Sequence, residues 1–340
     1  MVPRVSTARS PPGTHHSSPA ALPINGNGST RPIVRYGLFE RSPVVAAAHP
    51  VGVNCTSEGR TTIAAEKPHP RTLGTWTATT AIRTIDVGAS PYGVAISPDG
   101  SRAYVSNYYG RSVSVIETAT NTVTTTISVG ISPAGVAITP DGNHVYVANQ
   151  YENSVSVIGT DTHDVTAIAV GAQPWAVAIT PDGTHAYVTN KGSRSVSVIE
   201  TATNTVADTI SLGAHPWAVA ITPDGTHAYI TNKGSISVID TAADTLTTTP
   251  IEVSASPVGV AITPDGTHAY ITNYYGNSVT VVDAATSTVS STSLGVGAHP
   301  VGVAIAPDGA RAYVTNWGSN SVSVIAIDKS TGRARDGWAK

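Results

Sequence analysis

His215 and His299 each stand directly before a proline, and either imidazole could serve as a general base. The main carboxylate in comparable loops is Glu152. Four other histidines, His144, His185, His227 and His268, each follow a Pro-Asp-Gly turn by two residues and invite a metal reading. One per repeat at a fixed position separates them, however, and Arg102 and Arg311 hold the equivalent places, so surface positions are expected. The turn aspartates Asp99, Asp141, Asp182, Asp224, Asp265 and Asp308 each stand alone, without the several spaced oxygens that calcium takes. Turn chemistry accounts for them. No Ser-His-Asp signature, zinc spacing, phosphate loop or dinucleotide fingerprint occurs, so neither a metal nor another cofactor is expected. Aromatic and basic side chains in variable loops suit a different task, the stacking and anchoring of a ligand.

The elements that carry these residues follow from a repeat. "AITPDGTHAYVTN" at 178–190 returns with one change at 220–232 and 261–273. The Pro-Asp-Gly glycines Gly100, Gly142, Gly183, Gly225, Gly266 and Gly309 are 42, 41, 42, 41 and 43 residues apart. "HPVGVNCTSEGRTTIAA" at 49–65 aligns with "HPVGVAIAPDGARAYVT" at 299–315, and Gly59 precedes Gly100 by 41 residues. Seven units result, at about 49–90, 91–132, 133–173, 174–215, 216–256, 257–299 and 300–335.

Each unit contains four strand signals and no helix signal. In 91–132, "YGVAIS" is short and small, "RAYVS" follows the "SPDGS" turn, "SVSVIE" alternates strictly, and "TVTTTISV" is rich in β-formers. Gly93 and Ala95 suit crowding near an axis, while Val123, Ile127 and Val129 alternate with exposed-type Thr and Ser. Four strands in about 40–45 residues predict an all-β chain, a seven-bladed β-propeller of four-stranded antiparallel blades, with six blades as the alternative.

The repeated "AYVTN" (186–190, 312–316), "AYITN" (228–232, 269–273) and "SVSVIETATNTV" (112–123, 195–206) resemble the YVTN family of β-propeller repeats. That resemblance covers about 280 of the 340 residues. It implies a bacterial or archaeal protein, exported or tied to a surface layer, without a defined activity. No signal peptide is evident. Related propellers include lactonase-like and lyase-like enzymes that work through a channel-mouth histidine and a metal, so the fold alone does not choose a function.

Composition narrows the classes. Charged residues are 12% and the formal net charge is −3, which gives no general drive toward nucleic acid. No apolar run is long enough for a membrane span. The one cysteine, Cys55, excludes an internal disulfide framework and reads as a buried thiol. Residues 1–32, rich in Pro, Ser, Gly and Asn, read as a disordered segment before a single propeller domain over 33–340. Residues 33–45 precede the first unit where an outer strand belongs. They are expected to close the ring on the last blade, whose own fourth strand "TGRARDGWAK" is weak. A monomer is expected.

Strand alternation places two loops of every unit on one face: the lead-in to the first strand and the connection between the second and third. These loops differ between units, whereas the other face is expected to carry only Pro-Asp-Gly turns. The variable face collects Tyr92, Trp175, Trp217, Tyr108, Tyr109, Tyr151, Tyr274, Tyr275 and Trp317. The loop after Asn232 is two residues shorter than its counterpart after Asn190, and beside it fall His215, Lys191, Arg194 and Lys233. The expected ligand-binding residues are Trp175, Trp217, His215, Lys191, Lys233, Tyr92 and Trp317, the first five partly exposed near the channel mouth. A protein, peptide or carbohydrate would be the partner of a non-catalytic scaffold.

Overall fold

The computed structural model describes residues 84–247, 250–253, 256–328 and 333–334, all within the unit that begins at Ser42. Six antiparallel sheets follow one another, each ordered inner, second, third and outer strand as in the sequence. The first comprises Pro91–Ile96, Arg102–Asn107, Ser112–Glu117 and Thr122–Ser128. The inner strands of the others begin at Pro133, Pro174, Pro216, Pro257 and Pro300, and each inner strand packs on the next. No helix occurs among the described residues.

The repeated residues explain this build. Alternating serine and valine in the third strand sends both sets into the sheet stack, where nearly all of them are buried. The serines escape the cost of burial by pairing with the asparagine that ends the second strand. Asn107 Nδ2 donates to Ser112 and Ser114 Oγ at 3.0 Å each, and Asn149 Nδ2 to Ser154 and Ser156 Oγ at 3.1 and 2.9 Å. The residue before that asparagine ties one sheet to the next. Ser106 Oγ donates to Ala134 O at 2.7 Å, Thr231 Oγ1 to Val258 O at 2.7 Å and Thr272 Oγ1 to Val301 O at 2.7 Å. The same hydroxyls accept the N–H groups of Gly93, Ala218 and Gly259 in their own inner strands. So asparagine locks the sheets internally, and a serine or threonine hydroxyl before it locks four of them to the next.

The apolar core lies between sheets. Tyr104, Tyr146, Tyr187, Tyr229 and Tyr270 are fully buried there. Tyr187 reaches the next sheet's far turn through its hydroxyl, 2.5 Å from Asp244 Oδ1. Their counterpart Tyr313, in the last sheet, is 41% exposed. Val322 and Val324 beside it are exposed as well, and so are Val94 and Ile96 on the inner strand of the first sheet. Six described sheets therefore end in two uncovered apolar faces. The sequence unit at 49–90 falls mostly outside the described residues, as do Cys55 and the segments 1–32 and 33–45.

Three expectations need correction. The outer strand of the sheet at 216–252 is broken into Thr245–Leu246 and Ile251–Glu252, which pair separately with the third strand. Pro250 lies at the break; it has no N–H to give to a ladder. The C-terminal tail does supply a fourth strand to the last sheet, Arg333–Ala334, paired with Ile327 and Asp328 only. His268 is buried rather than on the surface. Thr267 bonds its Nδ1 at 2.8 Å.

The turn aspartates act as turn locks. Asp99 Oδ1 takes the Ser97 hydroxyl at 2.5 Å and the Ser101 N–H at 3.0 Å. The Ser97 hydroxyl, then the bonds from Ser101, bring its pKa from 3.8 to about 2. Asp141, Asp182 and Asp224 are lowered first by the hydroxyls of Thr139, Thr180 and Thr222. A carboxylate held below its unfolded value adds stability above that value and loses it as pH falls through the folded one. The melting temperature should therefore hold from neutrality to about pH 4 and drop between about pH 4 and 2. Circular dichroism melts across that range check it. A flat profile down to pH 2 would show that these turns contribute nothing.

Candidate ligand-binding face

The structure joins the two variable loops of each sheet at one edge by backbone hydrogen bonds. Tyr108 N–H donates to Ser90 O, Gln150 to Ser132, Lys191 to Gln173, Lys233 to His215, Tyr274 to Ser256 and Trp317 to His299. The opposite edge carries the Pro-Asp-Gly turns, but not those alone. The third-to-outer strand turns lie beside them, with Thr118 N–H on Ser101 O and Thr201 N–H on Thr184 O. The chain reverses direction at each connection, so the third connection must return to the edge of the first.

One irregularity recurs in all six sheets and positions the site. Pro91 pairs with Asn107 and Val94 with Val105, which leaves an extra residue on the inner strand. The same bulge follows Pro133, Pro174, Pro216, Pro257 and Pro300. A bulge re-aims the side chain it carries, here the residue after each proline: Tyr92, Ala134, Trp175, Trp217, Val258 and Val301. Tyr92 meets Trp175 edge-on at 5.3 Å, two inner strands away, because the intervening sheet offers only the methyl of Ala134. Trp175 meets Trp217 edge-on at 5.6 Å, and Lys191 Nζ stands 3.8 Å from the Trp217 ring centre. Tyr108 and Tyr109 extend this row outward from Tyr92, at 5.8 and 5.1 Å. Burial, with the neighbouring Tyr108 phenol, raises the Tyr92 pKa well above its ordinary value. Burial likewise lifts Tyr108 to about 12. Both phenols therefore keep their protons at neutral pH.

Trp175 departs from expectation: it is 5% exposed, lying beneath Tyr92 and Trp217 rather than open to solvent. Trp217, Lys191 and His215 are partly buried and Lys233 is exposed. The shortened loop has a local consequence. Gly234, at φ 93°, closes a two-residue turn between Asn232 and Ser235. In the lead-in loop opposite, Gly213 takes the positive φ (74°) that Gln173 and His299 take in their own loops. His215 is thereby freed from the left-handed region, and its Nδ1 bonds Lys191 O at 2.8 Å. Since a carbonyl only accepts, Nδ1 is the donor in this bond, which fixes the ring's orientation. Glu152, the candidate carboxylate, accepts the Ile131 N–H at 2.7 Å.

A second aromatic group escaped the sequence reading as a unit. His299 stacks on Tyr274 at 4.6 Å and 11°, with Tyr275 and Trp317 each 6.2 Å from the imidazole. Trp317 is 60% and Tyr275 68% exposed. The signal was present, since "NYYGN" and the next "AHPV" belong to adjacent units, but nothing in either stretch fixes the ring planes. Among the described residues no three His, Cys, Asp or Glu side chains gather as a metal site. No described helix is long and apolar enough to cross a membrane.

Comparison with known proteins agrees with this architecture. The sequence matches the family described as Lactonase, 7-bladed beta-propeller, at residues 118–209 and 236–337, over half of the chain. The protein belongs to this family. The lactonase-type propeller is thus a seven-bladed all-β fold, of which six blades lie in the described residues. No curated protein matches it. Among solved structures it resembles a chain of the hydrazine synthase of Kuenenia stuttgartiensis, with 23% identity and a TM-score of 0.51. That likeness covers 74% of this chain and 99% of the other. It also resembles a functionally unknown protein from Desulfotomaculum acetoxidans, with 21% identity, a TM-score of 0.64 and coverage of 71% and 79%. At such identities the two share a fold with this chain.

Proposed function

We propose that this propeller is a non-catalytic binding scaffold whose variable-loop face receives a sugar, peptide or protein ligand. One observation carries the reading. Among the described residues, the aromatic side chains at least 60% exposed are Tyr109, Tyr151, Tyr275 and Trp317, and all stand on second-to-third strand loops of one edge. Exposed rings cost solvation unless something covers them, and a shared edge gives one partner access to several. The repeat pattern that resembles YVTN propellers supports the same role. Stacking on an exposed ring contributes about 0.5–1.5 kcal/mol beyond the area buried. Trp317→Ala should therefore weaken a ligand found by glycan or peptide arrays about threefold to tenfold, and leave the melting temperature unchanged. Trp217→Ala should also weaken it, whereas His227→Ala, on the opposite edge, should not. An effect confined to His227→Ala would refute the face assignment.

Family membership favours one second reading, a lactonase-like hydrolase in which His215 Nε2 takes a proton from the attacking water. His215 is oriented for this by its bond to Lys191 O. Lactone hydrolysis followed at constant pH, with His215→Gln as control, separates the readings.

A further inference from the structure

We infer that Asp308, in the Pro-Asp-Gly turn of the last described sheet, is a site of isoaspartate formation, while the same tripeptide in the other five described sheets is protected by its fold. This concerns the edge opposite the variable loops and does not depend on the binding reading. The chemistry is intramolecular. The glycine backbone N attacks the aspartate Cγ and forms the N–Cγ bond of a cyclic succinimide. The Cγ–OH bond breaks, and that hydroxyl leaves with the amide proton as water. Water then opens the ring at either carbonyl. Attack at the main-chain carbonyl carbon of the aspartate gives isoaspartate, with the chain running through the former side chain. A following glycine has no Cβ to crowd the attack.

The tripeptide is identical in all six turns, so its surroundings must discriminate between them. In the first five the carboxylate is held from both sides. The hydroxyls of Ser97, Thr139, Thr180 and Thr222 donate to Oδ1 of Asp99, Asp141, Asp182 and Asp224 at 2.5 Å each, and the Thr263 hydroxyl bonds Asp265 likewise. From the other side come Ser101, Asn143, Thr184, Thr226 and Thr267, at 2.7 to 2.9 Å. These bonds fix the carboxylate's rotation and favour its ionised form, which is the poor electrophile. Asp99, brought to about 2 by Ser97 and then Ser101, carries its reactive proton more than about tenfold less often than an ordinary aspartate. The first hydroxyls also brace the turn: Thr139, Thr180, Thr222 and Thr263 accept the N–H of His144, His185, His227 and His268 at 3.0 Å.

At the last turn both side-chain partners are missing. Ala306 stands two residues before the aspartate and Ala310 two residues after it. Among the described residues Asp308 keeps only the Ala310 N–H, at 2.9 Å. Gly309 N–H bonds Ala306 O at 2.8 Å, as its counterparts do in their own turns, so that bond does not distinguish the sites. Asp308 is exposed, and a cavity of about 200 Å³ opens beside the turn, lined by Pro264, Asp265 and Ile327. Carboxylate rotation and the backbone movement that ring closure needs are therefore least hindered here.

The full-length protein, kept folded in mildly acidic buffer for several weeks, provides the test. Isoaspartyl bonds resist endoproteinase Asp-N and leave the mass unchanged, and the succinimide is lighter by one water, so peptide maps report each turn separately. Asp308 should convert at least about tenfold faster than any of the other five aspartates. In urea the six should convert alike. Ala306→Thr combined with Ala310→Thr should slow Asp308 to the rate of the other turns, and Thr180→Ala combined with Thr184→Ala should raise Asp182 to that of Asp308. Equal rates in the folded protein, no isoaspartate at Asp308, the same lead for Asp308 in urea, or an unchanged rate in the threonine variant overturns the inference.

Discussion

A chain lacking residues 42–83 should lose its cooperative melting transition, while a chain lacking 1–30 should melt like the whole protein. The reason lies at the two ends of the six described sheets. Val94, Ile96, Tyr313, Val322 and Val324 are 41% to 57% exposed. Their counterparts Val136, Ile138, Tyr187, Val196 and Val198 are at most 6% exposed, because a neighbouring sheet covers them. About half of each side chain remains to be covered, so completing the burial is worth roughly 1 kcal/mol apiece and the five together about 5 kcal/mol, comparable to the stability of a marginal domain, about 5–15 kcal/mol. The last sheet also stops short in its polar contacts. Among the described residues Thr315 Oγ1 donates to Gly302 O alone, at 3.4 Å in its own sheet, where Thr272 reaches Val301 O of the next at 2.7 Å. We propose that the sequence unit at 49–90 is the blade that fills this gap. Val51 aligns with Val301, so the Val51 carbonyl is the acceptor that Thr315 should find. Calorimetry of the two truncated chains decides it, and identical melting would remove the assignment.

The second large effect is expected at Asn190. Asn190→Ala removes a fully buried amide that donates to Ser195 Oγ at 3.3 Å and Ser197 Oγ at 2.9 Å. Both hydroxyls stay buried without their donor, and the amide leaves a cavity against Gly171, whose position is only 2.7 Å from the amide carbon for any added Cβ. A loss of about 1–3 kcal/mol follows, visible as a lower urea midpoint with an unchanged slope. Tyr151→Ala, on an exposed loop of the same edge, should shift the midpoint far less. If the two variants behave alike, the asparagine–serine ladder is not a source of stability.

Much of this was legible from residues alone. A period of 41 to 43 residues with four alternating segments left no other common architecture, because each segment could bury its apolar side only in a sheet. The clustering of variable loops on one edge followed from strand direction, and the structure bears it out through bonds such as Lys233 N–H to His215 O. The solitary aspartates read correctly as turn residues, since Asp99 bonds within its own turn.

Other features depended on distances that a sequence does not carry. The inner-strand bulge brings Tyr92 against Trp175 over Ala134, although 83 residues separate them. Burial of Trp175 and exposure of Trp317 follow from that convergence near the axis, where inner strands crowd and outer loops do not. The ammonium over Trp217 and the His215 bond to Lys191 O are likewise products of two blades meeting. The sequence by itself determined the blade, because local alternation and turn chemistry act within some forty residues. Only the tertiary structure decided which side chains share the channel mouth, because that depends on how successive blades are rotated about a common axis.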